Sequence, residues 1–256
     1  RANDLWGMIA SVFSLIPYHY WRKSHSIHHA SASKLEQRGI GDIYTMTVDE
    51  FLQLSRWGKL KYRFYRNPFI LFIIVPPILF TLLYRFPVSR SESLKRVEPS
   101  IHLTTLAIAL LAGGVISLVG WRSFLLVQLP ITLISSWCGM WLFYVQHQFE
   151  DTYWTNRGEW DVTLSALRGS SYYKLPKVLQ WFTGNIGFHH VHHLSPKIPN
   201  YLLERCHKEN EVLQKAVVLT LRTSLRSIPL RLWDEQQKKL ISIHHLKRRH
   251  TAAIGV

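Results

Sequence analysis

Three apolar stretches, residues 67–86, 101–120 and 124–145, fix what this chain can become. Each is close to the ~20 residues that an α-helix needs to cross a bilayer. Only Trp121-Arg122-Ser123 separates the second from the third, so these two are expected to form a transmembrane hairpin. The first carries Pro76-Pro77 at its centre, where proline removes backbone donors and breaks a helix. It is expected to dip into the membrane, or lie along it, and return. If all three crossed, the stretches before and after them would end on opposite sides. The loops before residue 67 and after residue 84 are both basic (Arg85, Arg90, Lys95 and Arg96 in the latter), which places both in the cytoplasm. The alternative topology has 67–86 crossing and another segment staying on one side.

The formal charge is +15, and this alone would admit a nucleic-acid binder. With 47% hydrophobic residues and 10 Trp, 11 Tyr and 12 Phe, a membrane protein with a basic cytoplasmic face is the better reading, and no nucleic-acid partner is expected. Residues 5–20 are apolar but too short to span, so an interfacial or core helix, or the remnant of a longer one, is expected there. Arg56, Lys59, Lys61, Arg63 and Arg66 form a basic run broken by aromatics. It reads either as a solvated face with snorkelling stems or as a contact with anionic lipid headgroups. Residues 201–256 read as basic amphipathic helices, with Leu202, Leu203, Cys206, Val212, Leu213, Ala216 and Val217 as the apolar stripe. Cys138 and Cys206 make neither a disulfide framework nor a cysteine metal motif and are expected as small buried residues. One domain is expected over 1–256, in three parts. An interfacial helix and a histidine-rich stretch fill 1–66, membrane segments fill 67–146, and a cytoplasmic cap fills 147–256.

The chemistry lies in two histidine clusters, His25-Ser26-Ile27-His28-His29 and His189-His190-Val191-His192-His193, about 160 residues apart. Both contain the spacing H-x-x-H-H. On a helix, positions i, i+3 and i+4 share a face, so each cluster aims three imidazoles at one point. His190 falls off that face and is expected beside the ligands or in solvent. Neutral imidazoles suit Fe, Zn, Cu and Ni. No H-E-x-x-H and no two-histidine-one-carboxylate set is present in either cluster, and six matched imidazoles favour two metal ions. His147, at the end of the last apolar stretch, is a further candidate. Asp161, Asn185, Glu150 and Asp151 are candidate acceptors for imidazole N–H groups. His19 and His102 read as core residues, and His244, His245 and His250 as surface residues of a basic tail.

The phrases SHSIHHA (24–30), RGIGDI (38–43), YVQHQFEDTYW (144–154) and GNIGFHHVHHLSPKIP (184–199) resemble the integral-membrane fatty acid desaturases, most of all the bacterial and cyanobacterial acyl-lipid enzymes of the Δ12/omega-6 type. The resemblance implies an all-α integral membrane fold: a transmembrane helical hairpin plus a re-entrant or interfacial helix, under a cytoplasmic helical cap holding the histidines. It implies two non-haem iron ions, with His25, His28, His29, His147, His189, His192 and His193 as ligands and no catalytic residue beyond the metal site. Asp161, Asn185 and His190 would support the ligands. The implied reaction uses O₂ to insert a cis double bond into an acyl chain, with electrons from ferredoxin or a cytochrome b5-like donor. The implied location is a bacterial inner membrane or thylakoid-like membrane, with the metals facing the cytoplasm. Trp137, Trp141, Phe143 and Tyr144 are candidates to line an acyl tunnel, or simply to pack helices. The family's first box, H-x-x-x-H in a phrase like H-D-C-G-H, is absent. The sequence therefore reads as a truncated chain that should not hold an intact diiron site. The alternatives are a lipid or carotenoid hydroxylase or ketolase of the same superfamily, and an inactive remnant.

Overall fold

The computed structural model describes residues 2–39, 41–86, 91–246 and 248; Arg90 and His250 lie outside them. In chain order the helices are α1 (Ala2–Ser14), α2 (Tyr18–Ser31), α3 (Val48–Gln53), α4 (Arg56–Tyr65), α5 (Val75–Thr81), α6 (Glu92–Lys95), α7 (Pro99–Val119) and α8 (Trp121–His147). They continue with α9 (Val162–Arg168), α10 (Lys177–Phe182), α11 (His189–Leu194), α12 (Asn200–Glu209) and α13 (Leu221–Ser224). Short strands are β1 (Met46–Thr47), β2 (Tyr172–Lys174), β3 (Val218–Thr220), β4 (Leu230–Asp234) and β5 (Lys239–Ser242). The chain forms two compact units, one of Arg1–Ala30 with Phe69–Met140 and one of Ser31–Pro68 with Trp141–Val256.

In the first unit, α7 and α8 are long and apolar enough to cross a membrane. They are joined by Gly120 alone, whose φ of 79° and ψ of 152° form a conformation that only glycine adopts readily. The expected 121–123 linker is therefore the first turn of α8. Helix α1 lies along α7. Tyr18 packs its ring where a Cβ on Gly7 would sit, and both Tyr18 Oη and Arg22 donate to Asp4. An apolar cavity of about 760 Å³ is lined by residues of α7 and α8 together with Val12, Phe13 and Arg85.

The 67–86 stretch does not break at its prolines: Pro76 and Pro77 sit in the first turn of α5, and the 48° bend lies earlier, between α4 and Ile70. A π-helical turn, Ile70–Ile74, runs into α5, and a 3₁₀ turn, Leu83–Arg85, follows. Pro77 has no N–H for its α-helical acceptor, the carbonyl of Ile73. The indole N–H of Trp137 donates there instead, at 3.0 Å. Two expectations fail on this unit's helices. Cys138 is exposed on α8, and His102 is exposed on α7, because both fall on faces that no neighbouring helix covers.

In the second unit, β1 pairs parallel with β4, and β4 antiparallel with β5. A register shift between Leu230 and Leu232 puts Leu230 and Trp233 on one side with Leu35, Trp154 and Leu240. Leu232 faces the other way, against Phe51, Tyr62 and Ile241. Beyond α12 the tail is therefore not a run of amphipathic helices. The alternation in Leu230–Asp234 and Lys239–Ser242 forms a hairpin whose turn is capped by the Asp234 carboxylate, which accepts from the Gln236 and Gln237 amides. The apolar stripe does do its expected work in part. Leu203, Leu213 and Ala216 close a core with Leu167, Phe188 and Val191, and Cys206 packs against it.

Arg66 leaves the basic run. It is buried, and its guanidinium donates to Tyr44 O, Thr45 Oγ1, Gln148 Oε1 and Leu230 O at 3.0–3.4 Å. Each of these acceptors is neutral, so backbone and side-chain dipoles serve both terminal nitrogens of the buried guanidinium.

Candidate metal centre

The first histidine set is held by α2. Pro17 starts that helix, with the Trp21 N–H bonding its carbonyl, and His28 and His29 occupy the last turn. His25 and His29, four residues apart, bring their Nε2 atoms to 3.1 Å. The Trp21 ring stacks on His25 at 4.6 Å between centroids, fixing its plane. His28 is buried, with its ring 5.7 Å from that of His25 and 5.8 Å from that of His29. His25 and His29 thus converge, with the buried His28 ring beside them.

The second set is built on α11, and the residues before it determine where that helix starts. Gly187 lies against β2: its carbonyl accepts from the Tyr173 N–H, and a Cβ there would come within 2.4 Å of Tyr173 O. Asn185, at a φ of 57°, turns the chain into this approach. Phe188 then stacks on Tyr172 at 4.6 Å, and fully buried Val191 anchors α11 in the core with Leu203 and Leu213. The opposite face carries His189, His192 and His193.

His147, the last residue of α8, joins that face. Its Nε2 is 2.9 Å from His189 Nε2, and His189 Nε2 is 3.1 Å from His193 Nε2. The His147 ring centroid is 4.7 Å from that of His193, and the Phe143 ring packs at 5.4 Å. The His147 Nδ1 faces the Gly169 carbonyl at 3.2 Å. A carbonyl only accepts, so Nδ1 carries the proton and a neutral His147 presents a lone pair at Nε2. Three converging imidazole nitrogens, at least one with its lone pair fixed inward, form a donor set that needs an electron-pair acceptor. A transition-metal ion fits it. Burial pushes His192 below its ordinary pKa, which keeps that ring neutral and able to ligate.

His190 points the other way. It is fully buried, so the solvent position is excluded, and its Nε2 is 3.0 Å from His207 Nδ1 on α12. Burial pushes its pKa down to about 3, the His207 ring adds to this, and a backbone hydrogen bond with Leu213 opposes it. Asp161 accepts from the Leu164 N–H as the cap of α9, and Asn185 donates to Asn200 O. Glu150 and Asp151 meet Lys239. Trp141 donates to Tyr173 Oη, and Tyr144 to Ser227 O and Leu230 O, so both are engaged in packing the second unit. Neither the Gly169 carbonyl nor the role of His207 is legible in the sequence. A carbonyl partner has no sequence signal, and His207 sat inside an apolar stripe read only as packing.

The family model described as fatty acid desaturase matches residues 1–223. A fatty acid desaturase of Bacillus subtilis is 51% identical over 96% of this chain and 70% of its own length. An sn-1 oleoyl-lipid 12-desaturase of Synechocystis is 27% identical over 81% of the chain and 59% of its own length. A chloroplastic sn-2 acyl-lipid omega-3 desaturase (ferredoxin) of Helianthus annuus is 26% identical over 96% and 56%. The chain thus spans between about half and 70% of these relatives. With two apolar helices able to span a bilayer and buried or half-buried histidine sets at the expected spacing, the chain belongs to the fatty acid desaturase family.

Proposed function

We propose that the chain is part of an O₂-dependent acyl-lipid desaturase of the Δ12/omega-6 type. Its ligands are His25, His28, His29, His147, His189, His192 and His193, and its metal is iron. The observation that carries this reading is the convergence of the His147, His189 and His193 Nε2 atoms. Bound iron would supply the oxidant that an unactivated methylene requires, which no amino-acid side chain provides. Two C–H bonds break, a cis C=C bond forms, and O₂ with two electrons and two protons leaves as two waters.

The protein's own groups do the rest. The Gly169 carbonyl keeps the His147 proton on Nδ1 and its lone pair on Nε2. Burial of His189 and His193 limits water around the donor atoms. The electrons come from ferredoxin or a cytochrome b5-like protein. The net charge of +15 suits an acidic donor, and the Helianthus relative is named for ferredoxin. The metal site faces the cytoplasm, on the side of the basic loops.

The test is lipid analysis of a bacterial host expressing the chain joined to an upstream segment that supplies the H-x-x-x-H box, by gas chromatography and mass spectrometry of fatty acid derivatives. A new cis double bond at the Δ12 position supports the reading. A hydroxylated or oxidised carotenoid product would move the chain to another branch of the superfamily.

A further inference from the structure

Helix α4 has a face that neither the core nor the metal centre uses. Its inner side is pinned. Tyr62 is buried, its hydroxyl donates to Arg231 O and accepts from the Met46 N–H, and its ring packs on Phe51. Ser55 caps the helix by accepting from the Gly58 N–H. The rotation of α4 is therefore fixed, and so is what it turns outward. At about 100° per residue, Trp57, Leu60 and Phe64 fall within ~60° of one another and opposite Tyr62. They are 73%, 54% and 64% exposed. Arg56 and Arg63 flank this ridge on one side and Lys61 on the other, all exposed. Lys59 instead donates to Leu52 O, and Arg66 is internal.

An apolar aromatic ridge between two basic edges matches one partner, the boundary of a bilayer carrying anionic headgroups. An acidic protein would complement the charges but leave the ridge in water. The chain also reaches the apolar 67–86 stretch only a few residues after Tyr65, so α4 is tethered close to lipid.

We propose that α4 is an anionic-lipid sensor seated in the headgroup region. Trp57, Leu60 and Phe64 insert among acyl chains, and Arg56, Lys61 and Arg63 hold phosphodiester headgroups. The consequence is that the electron donor does not dock on this helix.

The test uses the full chain with Cys138→Ala and Cys206→Ser, spin-labelled at Leu60→Cys and, separately, at Phe64→Cys. It is reconstituted in phosphatidylcholine vesicles with or without about one-third phosphatidylglycerol. Electron paramagnetic resonance reads label exposure to O₂, which concentrates in lipid, and to a water-soluble nickel chelate. The expected result is a lipid-buried label in anionic vesicles, with chelate exposure rising about threefold or more in pure phosphatidylcholine or in Arg56→Glu/Lys61→Glu. A label in water in both vesicles overturns the proposal, as does one equally buried in both. A label in water that is covered only when an acidic ferredoxin is added overturns it in favour of a protein-docking surface. Because both label sites are exposed and away from the Tyr62 anchor, failure to fold at one leaves the other to decide.

Discussion

His190 Nε2 lies 3.0 Å from His207 Nδ1, behind the helix that presents His189, His192 and His193. The pair ties α11 to α12 on the side away from the ligands, where His190 is fully buried. Replacing His207 with leucine strands a buried polar ring, at a cost of roughly 1–3 kcal/mol. Thermal unfolding in detergent should show a lowered Tm for His207→Leu and substantial recovery in His207→Gln, which can still hydrogen-bond. Equal Tm values for the two variants would mean that the pair carries no weight.

The substitution of an indole N–H for the missing proline N–H makes a double-mutant cycle possible. Trp137→Phe removes the donor to Ile73 O and should cost about 1–2 kcal/mol, since an unpaired carbonyl is expensive in apolar surroundings. Pro77→Ala restores a backbone donor to the same carbonyl. The double variant should therefore be more stable than Trp137→Phe alone, and simple additivity would refute the exchange.

Asp42 gives a pH signature. Burial raises its pKa to about 6, against the lowering effects of the Gly39 N–H, Arg66 and Arg38. A carboxyl whose folded pKa exceeds its unfolded value takes up a proton on folding. Its stabilising contribution is complete below the unfolded value near 3.8 and is lost as pH rises through 6. Asp42→Asn keeps an acceptor for the Gly39 N–H and removes the charge. It should match the parent near pH 4 and exceed it by on the order of 1–2 kcal/mol at pH 8, the full linkage value being reduced for partial solvent access. Parallel pH profiles of stability would contradict this.

How much was legible in the sequence can be judged residue by residue. The spans and the histidine faces were, because periods of 3.6 residues and runs of ~20 apolar residues are local properties. The missing backbone donors at Pro76-Pro77 were too, but not the helix that runs through them or the Trp137 indole, 60 positions on, that serves Ile73 O, since nothing local links the two. Arg66 looked like its basic neighbours; only the fold brings Thr45, Gln148 and Leu230 to it. The strands of the tail are not legible locally, because they pair with β1 at Met46 and β2 at Tyr172, far away in sequence. Of the expected ligand partners, Asp161 went to a helix cap, and a backbone carbonyl took the role at His147.

The central claim is that His147, His189 and His193 share one metal ion. Cobalt(II) titration of the purified protein, followed by its visible absorption, tests this most directly. Alanine at any one of the three should weaken binding about 10- to 100-fold, while His190→Asn and His244→Ala leave it within about threefold of the parent. If all five variants bind cobalt alike, or if none of the three ligand substitutions changes the spectrum, the three histidines are not a metal site.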